Sequence, residues 1–302
     1  MTYKSLSNTG VSIPEVGLGT WNYHAGVEPL RKGLDAGALF IDTAESYGTE
    51  MVVGQAVAGV RARVFIATKV CPEHFRFRSV LEAADGSLKR LGIEWIDLYQ
   101  LHMPNDKVPI EETLAAMEQL VDAGKVRFIG VSNFSVAQLE RARNATRKYR
   151  IVSNQVRYNV VDRTIEADLL KYCQANGITI IAYSPLARDF QSILDCDPDC
   201  ALAEVARRTG KTIAQVAINW CLCKDGVVAI PRGNSTAHVV ENCGASSWRL
   251  TAEQLQFLDR SIRWRRRGPM ETFIRSMLPP PMKRALGILV QMLPRGLRRR
   301  FK

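Results

Sequence analysis

The sequence lacks the features of membrane-spanning, secreted and Rossmann-type proteins. None of its apolar runs reaches the roughly 18 residues that a spanning helix needs. The first ten residues do not show the charged and then apolar pattern of a secretory signal. The seven cysteines are odd in number and scattered, which favours reduced thiols over a disulfide framework. No G-x-G-x-x-G follows a first strand. We therefore expect a cytoplasmic protein without a Rossmann domain.

Patterns that would hold a metal ion or catalyse hydrolysis are also missing. Residues 195–200 read DCDPDC, but no second close pair of cysteine or histidine completes a zinc set. Cys221 and Cys223 lie two apart on a predicted helix, so their side chains face different directions. We expect residues 195–200 to form a solvated acidic loop and the protein to hold no metal. No paired carboxylates support a hydrolase either.

The net charge of +11 belongs to the C-terminal segment. Residues 263–302 contain twelve Lys or Arg and one acid, Glu271, so residues 1–262 balance to zero. Two interpretations of this segment stay open. It either packs on the preceding domain and ends in solvent, or forms a basic amphipathic element that contacts an anionic membrane at its surface. Few aromatic residues are available there for stacking on bases, so we expect no nucleic acid partner.

Short apolar runs alternate with amphipathic stretches through residues 1–262. Such runs suit parallel strands buried on both faces, and eight are predicted, at 15–18, 39–42, 64–69, 96–101, 127–131, 151–155, 179–182 and 227–230. Helices are predicted at 29–36, 80–91, 110–123, 136–142, 165–176 and 213–223, with one more that begins at Thr251. Left-handed C-caps are expected at Gly37, Gly92, Gly124 and Gly177. The alternation predicts an α/β protein: a (β/α)8 TIM barrel over 1–262, followed by the basic tail over 263–302.

Four polar residues of complementary type fall at the predicted strand ends, where barrels of this kind place catalytic groups. Asp42, Lys69 and His102 end three strands, and Tyr47 lies in the loop after the first of them. A free tyrosine has a pKa of about 10, and a nearby ammonium is expected to lower that pKa. Asp42 would hold Lys69 in place, and His102 would orient a substrate oxygen. Each residue alone is more often structural, but the four together predict an active site.

The chain resembles the aldo-keto reductase family in a series of motifs. They are GLGTW (17–21), FIDTAESYG (40–48), SLKRLG (87–92), IDLYQLH (96–102), GKVRFIGVSNF (124–134), YSPL (183–186) and IPR (230–232). They occur in the family's order and span nearly all of residues 1–262. Collinear motifs are more specific than any single one. The resemblance implies an NADP(H)-dependent oxidoreductase.

By this resemblance, Asp42, Tyr47, Lys69 and His102 match the catalytic tetrad of the family. Family members transfer a hydride from the nicotinamide to a carbonyl carbon while the tyrosine protonates the oxygen. Histidine at position 102 implies carbonyl reduction, of the EC 1.1.1 type, rather than reduction of a steroid double bond. The implied substrate is a small or medium aldehyde, or an activated ketone such as an α-dicarbonyl. The positions that would line the substrate are Trp21, Tyr47, His102 and Met103.

The resemblance also implies a site for NADPH. The matching positions are Gly19, Thr20, Trp21, Ser132, Asn133, Gln155, Tyr183, Ser184, Leu186, Arg232, Asn234, Ser235, His238, Glu241 and Asn242. Without the resemblance, Gln155 would be interpreted as a satisfied core amide and Tyr183 as ordinary packing. Arg232 suits the 2′-phosphate because its fork can bind in a bidentate manner. His238 stands where a second phosphate-binding arginine is usual, which keeps NADH open as an alternative cofactor.

Two functions remain open at the level of sequence. The first is a monomeric reductase of small aldehydes or ketones. The second is a catalytically weak NADP(H)-binding accessory or scaffold protein that its basic tail attaches to a membrane or complex. The complete set of four catalytic residues favours the reductase.

Overall fold

The structure is a computed structural model that describes residues 1–187 and 189–264. The chain divides into two units, Met1–Trp264 and Arg265–Lys302. The second unit lies outside the described residues. The predicted membrane contact of the basic tail therefore falls almost entirely beyond what the structure describes. Within the described ranges, no helix is long and apolar enough to cross a membrane.

Eight parallel strands form the barrel that the sequence predicts. Two short strands, β1 Tyr3–Ser5 and β2 Ser12–Pro14, precede the barrel in the chain. The barrel strands are then β3 Leu18–Gly19, β4 Phe40–Asp42, β5 Phe65–Val70, β6 Ile96–Leu101, β7 Val126–Ser132, β8 Ile151–Arg157, β9 Thr179–Tyr183 and β10 Val227–Ile230. Each strand pairs with the next along the chain. A parallel bridge joins Val16, two residues before β3, to Ala229 of β10, and the Gly17 amide donates to the Ala229 carbonyl oxygen at 2.8 Å. The sheet thereby closes on itself.

Helices follow the strands and cover the outside of the barrel, as the alternating pattern predicts. They are α1 Glu28–Asp35, α2 Glu50–Val57, α3 Phe77–Leu91, α4 Ile110–Asp122, α5 Val136–Ala145, α6 Leu169–Ala175, α7 Gln191–Leu194, α8 Ala201–Thr209, α9 Ile213–Leu222, α10 Thr236–Cys243 and α11 Ala252–Ser261. Short 3-10 turns occur at Glu45–Tyr47, Arg61–Arg63, Pro72–His74 and Thr164–Ala167. The four predicted C-cap glycines all adopt positive φ, between 62° and 90°. The capping box at Thr251 is also confirmed.

An antiparallel hairpin, which the sequence analysis missed, closes one end of the barrel. Its strands are β1 Tyr3–Ser5 and β2 Ser12–Pro14. Leu6 and Ile13 are fully buried in one apolar cluster with inward side chains from the barrel, among them Phe40, Phe65 and Leu98. Because Phe40 and Phe65 begin their strands, this apolar plug lies at the amino-terminal end of the barrel. The carboxyl ends of the strands are left for polar residues.

One local prediction was wrong, and a second was right only in part. The helix predicted at 165–176 is interrupted at Asp168, whose φ of −150° separates the 3-10 turn from α6. The acidic loop at 195–200 is not simply solvated, because Asp197 is buried and its carboxylate accepts hydrogen bonds from the amides of Ala201 and Leu202. This carboxylate therefore satisfies donors at the start of α8. No group of three or more metal-ligating side chains occurs among the residues that the structure describes.

Candidate active site

Asp42 and Lys69 form a buried ion pair at the carboxyl ends of neighbouring strands. Asp42 ends β4 and Lys69 is the penultimate residue of β5. The Lys69 ammonium donates to Oδ1 of Asp42 at 2.5 Å and to the Thr43 carbonyl oxygen at 2.7 Å. Burial alone would lower the pKa of Lys69, but the charge of Asp42, followed by the interaction with Tyr47, holds that pKa above its ordinary value. Lys69 is therefore a buried cation at neutral pH, as the sequence predicts.

Tyr47 ends the 3-10 turn after β4, which brings its ring to the same mouth. The Lys69 nitrogen lies 4.8 Å from the centre of this ring. Burial raises the pKa of the Tyr47 phenol, and the charge and hydrogen bond of Lys69 oppose this rise without cancelling it. The expectation of a lowered pKa was thus wrong, because the sequence shows the ammonium but not the depth of burial. The phenol remains protonated at neutral pH, which is the form a proton donor needs.

His102 follows β6 directly and faces Tyr47. Its Nε2 lies 3.5 Å from the Tyr47 hydroxyl oxygen, and the two rings meet edge to face with centres 5.5 Å apart. Burial, with the Lys69 charge as the second cause, lowers the pKa of His102 to about 3. The imidazole is therefore neutral at pH 7, with one nitrogen able to donate and the other able to accept. The structure brings together all four residues that the sequence predicts as catalytic.

Two buried glutamines complete the surroundings of Asp42. Its Oδ2 accepts from Nε2 of Gln155 at 2.6 Å and from Nε2 of Gln100 at 3.2 Å. Sequence reasoning missed Gln100. One signal was present: it lies two positions after Leu98 in an apolar strand, so the alternation of side chains points an amide into the barrel. The structure also shows the predicted nicotinamide ligand Gln155 in contact with the Asp42 carboxylate, which the sequence predicts as catalytic.

The other predicted nicotinamide ligands lie next to this network. Ser132 ends β7, and its hydroxyl donates to the Gln155 carbonyl oxygen at 2.9 Å. Asn133 adopts a φ of 64° and donates through Nδ2 to the Ser132 hydroxyl oxygen at 2.9 Å. Its Oδ1 accepts from the Tyr183 hydroxyl at 3.0 Å. Four predicted cofactor residues from three adjacent strand ends therefore share one hydrogen-bonded cluster, and Ser184 and Leu186 follow Tyr183 in the next loop.

The predicted phosphate-binding loop lies between β10 and α10. Arg232 is exposed, and its Nη1 donates to the Asn22 carbonyl oxygen at 3.2 Å. Asn234 contacts the same carbonyl through Nδ2 at 3.5 Å. The Ser235 hydroxyl oxygen accepts from the amide of the exposed His238 at 3.2 Å, and so it caps α10. The two predicted adenine contacts lie in the same helix: Glu241 and Asn242.

Four predicted residues remain, of which Trp21 and Met103 are exposed and Gly19 and Thr20 are buried. Trp21 and Met103 are large apolar side chains with 50% and 39% of their surface exposed. Exposed apolar surface of this kind is typical of ligand-binding sites. Gly19 allows close approach of the backbone, because a Cβ there would lie 2.6 Å from the Ile230 carbonyl oxygen. The Thr20 hydroxyl donates to the Asp42 carbonyl oxygen at 3.0 Å, which joins the end of β3 to β4.

Comparison with known proteins gives the family. The family model described as Aldo/keto reductase family matches residues 15–263. Methylglyoxal reductase YeaE of Escherichia coli (strain K12) is 36% identical over 272 residues, which cover 86% of this chain and 95% of that protein. The crystal structure of the thermostable aldo-keto reductase Tm1743 with the inhibitor epalrestat has a TM-score of 0.81 and 40% identity, covering 86% of this chain and 99% of that one. An aldo-keto reductase from Klebsiella pneumoniae in complex with NADPH has a TM-score of 0.81 and 37% identity, covering 88% and 98%. This chain therefore belongs to the aldo-keto reductase family.

Proposed function

We propose that this protein reduces an aldehyde or an activated ketone to the alcohol with NADPH, and that Tyr47 donates the proton. The observation that carries the proposal is the 3.5 Å separation of the Tyr47 hydroxyl oxygen and His102 Nε2 at the open end of the barrel. Two groups that can donate hydrogen bonds then point at one position, where a carbonyl oxygen fits. The family membership of the chain supports this assignment.

The residues around the mouth fit NADPH in the chemistry of their donors and acceptors. Ser132, Asn133 and Gln155 offer hydroxyl and amide groups suited to a carboxamide. Gln155 Nε2 is engaged by Asp42, which leaves its Oε1 to accept from such a group. Arg232 provides an exposed guanidinium beside the start of α10, and no carboxylate pairs with it within 1–187 and 189–264. Bound NADPH would supply the hydride.

The catalytic residues would divide the proton chemistry among them. Tyr47 hands its proton to the substrate oxygen as negative charge develops there. The Lys69 ammonium stabilises the phenolate that remains, because it lies against the ring and is held charged by Asp42. Neutral His102 donates a second hydrogen bond and sets the direction of the carbonyl. Each role requires only the position and the charge that the residue has in the folded chain.

The substrate that we propose is small and reactive, such as an α-dicarbonyl. Trp21 and Met103 offer apolar surface at the mouth, and methionine adapts its shape readily. Methylglyoxal reductase YeaE, whose name states an α-dicarbonyl substrate, shares 36% identity over 86% of this chain. A carbonyl with an adjacent electron-withdrawing group also needs less stabilisation of the developing charge.

The test is a steady-state screen of methylglyoxal, glyoxal and simple aldehydes with NADPH and with NADH. Tyr47→Phe should lower kcat by roughly 10²–10⁴-fold, while the Kd for NADPH measured by fluorescence stays nearly the same. Tyr3→Phe is the matched control, because Tyr3 is exposed in β1 and away from the mouth. Binding of NADPH without turnover of any carbonyl would refute the proposal. Full activity in Tyr47→Phe would refute the role of Tyr47.

A further inference from the structure

We infer that Gln100 is a positioning residue of this active site: it holds the Asp42 carboxylate in its contact with Lys69. The inference rests on the proposed function only for its effect on turnover. The arrangement itself is a property of the folded chain. Gln100 is fully buried and touches Asp42 and Gln155, the two residues through which it would act.

The two oxygens of Asp42 have separate partners. Oδ1 accepts from Lys69, and Oδ2 accepts from the side-chain amides of Gln155 and Gln100. An ionised carboxylate can only accept, so both amides must present their NH2 groups to it. The remaining oxygen of Gln100 then faces Gln155 Nε2 at 3.4 Å. The orientation of both glutamines is thus fixed by the charge of Asp42.

Both glutamines donate to Oδ2 of Asp42, but only Gln155 would also bind the cofactor. In the proposed function, Gln155 also accepts a hydrogen bond from the nicotinamide carboxamide. Any movement of Gln155 toward that group weakens its own contact with Asp42. Gln100 has no such second task, so it keeps Oδ2 satisfied through the reaction. A buried carboxylate oxygen without a donor would otherwise favour the protonated acid.

The strand register places Gln100 for this role. It stands opposite Lys69 in the β5–β6 pairing, which puts both side chains on the inner face. On its other side it stands opposite Gly130 of β7. A Cβ at Gly130 would lie 3.0 Å from Cγ of Gln100 and 2.5 Å from the Ser153 hydroxyl oxygen. The glycine therefore leaves space beside the Gln100 side chain that a larger residue would fill.

If Gln100 only filled space, its removal would leave the pKa of Lys69 unchanged. The charge state of Lys69 therefore distinguishes a positioning role from a packing role. Lys69 faces Asp42 on β4, Tyr47 on the 3-10 turn, and His102 after β6. If Gln100 supports the Asp42 carboxylate, its loss weakens the charge that keeps Lys69 protonated. The titration of Lys69 is measurable by carbon NMR of protein labelled at the lysine side chain. Its signal is assigned from its absence in Lys69→Met.

The experiment compares Gln100→Leu with Gln100→Glu in the full chain. In Gln100→Leu, the titration midpoint of Lys69 should fall by about one pH unit or more, and kcat should fall roughly tenfold with little change in the KM for NADPH. Gln100→Glu should not lower the midpoint. A neutral glutamic acid still donates to Asp42, and an ionised one adds a charge that favours the ammonium.

Leu98→Ala provides the structural control, because Leu98 lies two residues away on the same inner face but in the apolar plug. It should lower stability without shifting the Lys69 midpoint. Equal midpoints in wild type and Gln100→Leu would overturn the inference, and so would equal shifts in the Leu and Glu variants. A wild-type protein that reduces no carbonyl would instead refute the proposed function, and the comparison of midpoints would still stand.

Discussion

The Lys69 ammonium lies 2.5 Å from Oδ1 of Asp42 where neither side chain reaches solvent to more than 2% of its surface. Transfer of such charges out of water costs several kcal/mol per ion, so each charge depends on the other. Removal of either partner should therefore affect stability and chemistry together.

Asp42→Asn is expected to lower the free energy of unfolding by about 3–5 kcal/mol, because it leaves the Lys69 ammonium buried without its carboxylate. The pKa of Lys69 should fall, since burial then acts on it with less opposition. Urea denaturation at pH 7 measures the loss of stability. Turnover of an α-dicarbonyl should fall in the same variant, because Asp42 no longer holds the Lys69 ammonium in its position against the Tyr47 ring.

The double variant Asp42→Asn, Lys69→Met separates the two effects. It removes both charges and fills the space with an apolar chain of similar length, so stability should return toward that of the wild type. Activity should not return, because the ammonium is still missing. A double variant as unstable as Asp42→Asn alone would contradict the view that an uncompensated charge causes the loss.

His102 should make stability depend on pH in the acid range. Burial, followed by the Lys69 charge, lowers its pKa to about 3 in the folded chain, against about 6.5 when unfolded. Between those values the unfolded chain binds more protons, so stability falls as the pH drops through this window. The slope from this residue is at most about 1.4 kcal/mol per pH unit, and less because His102 is partly exposed to solvent.

The measurement compares urea denaturation of wild type and His102→Gln at pH 7 and pH 5. Glutamine keeps a donor and an acceptor but does not titrate. The variant should lose less stability on acidification than the wild type does, while other groups contribute equally to both. An identical loss in the two proteins would show that His102 protonates as freely in the folded chain as in the unfolded one.

The strand ends and glycine caps were predictable because they depend on local sequence. Continuous apolar runs placed all eight barrel strands, and Asp42 and Lys69 could be located from the ends of those runs. What sequence reasoning missed depends on distant packing. The burial that raises the Tyr47 pKa, and the contact of Gln100 with Asp42 across 58 positions of the chain, arise only when the barrel closes. The three-residue strands of the hairpin are too short for a periodic signal.

Gly130→Ala should disturb the site through its neighbour Gln100. The added Cβ would meet the Ser153 hydroxyl oxygen at 2.5 Å and Gln100 Cγ at 3.0 Å, both inside the closed barrel. Overpacking of this kind costs about 1–3 kcal/mol in the free energy of unfolding. We also expect a lower kcat, because Gln100 would be displaced from Asp42. Thermal or urea denaturation and steady-state kinetics measure the two effects.

Gly86→Ala is the control for the previous substitution. Gly86 lies in α3, and its added Cβ would meet only the end of the flexible Arg90 side chain, at 3.0 Å. Alanine in a helix should leave stability unchanged or raise it by up to about 1 kcal/mol. Adding Ser153→Ala to Gly130→Ala should recover part of the lost stability, since the Ser153 hydroxyl is buried and has no hydrogen-bond partner in the described part of the chain. If Ser153→Ala recovers no stability, the clash that destabilises Gly130→Ala is not with the Ser153 hydroxyl.

Arg232 and His238 should set the preference between NADPH and NADH. Replacing Arg232 by an uncharged residue should weaken that preference for NADPH, and replacing His238 by arginine should strengthen it. Arg232→Met removes an exposed guanidinium beside α10, so the Kd for NADPH should rise at least about tenfold, as expected for a hydrogen bond to a charged group. The Kd for NADH should change little, because NADH lacks the 2′-phosphate. His238→Arg should lower the Kd for NADPH alone, since arginine is always charged and its fork suits a phosphate.

Arg147→Met is the control for both substitutions, as Arg147 is exposed in the loop after α5. Fluorescence titration with both cofactors at low and high salt measures these changes, and the discrimination should weaken as salt screens the phosphate. Equal losses for NADPH and NADH in Arg232→Met would show that Arg232 supports the loop rather than the phosphate.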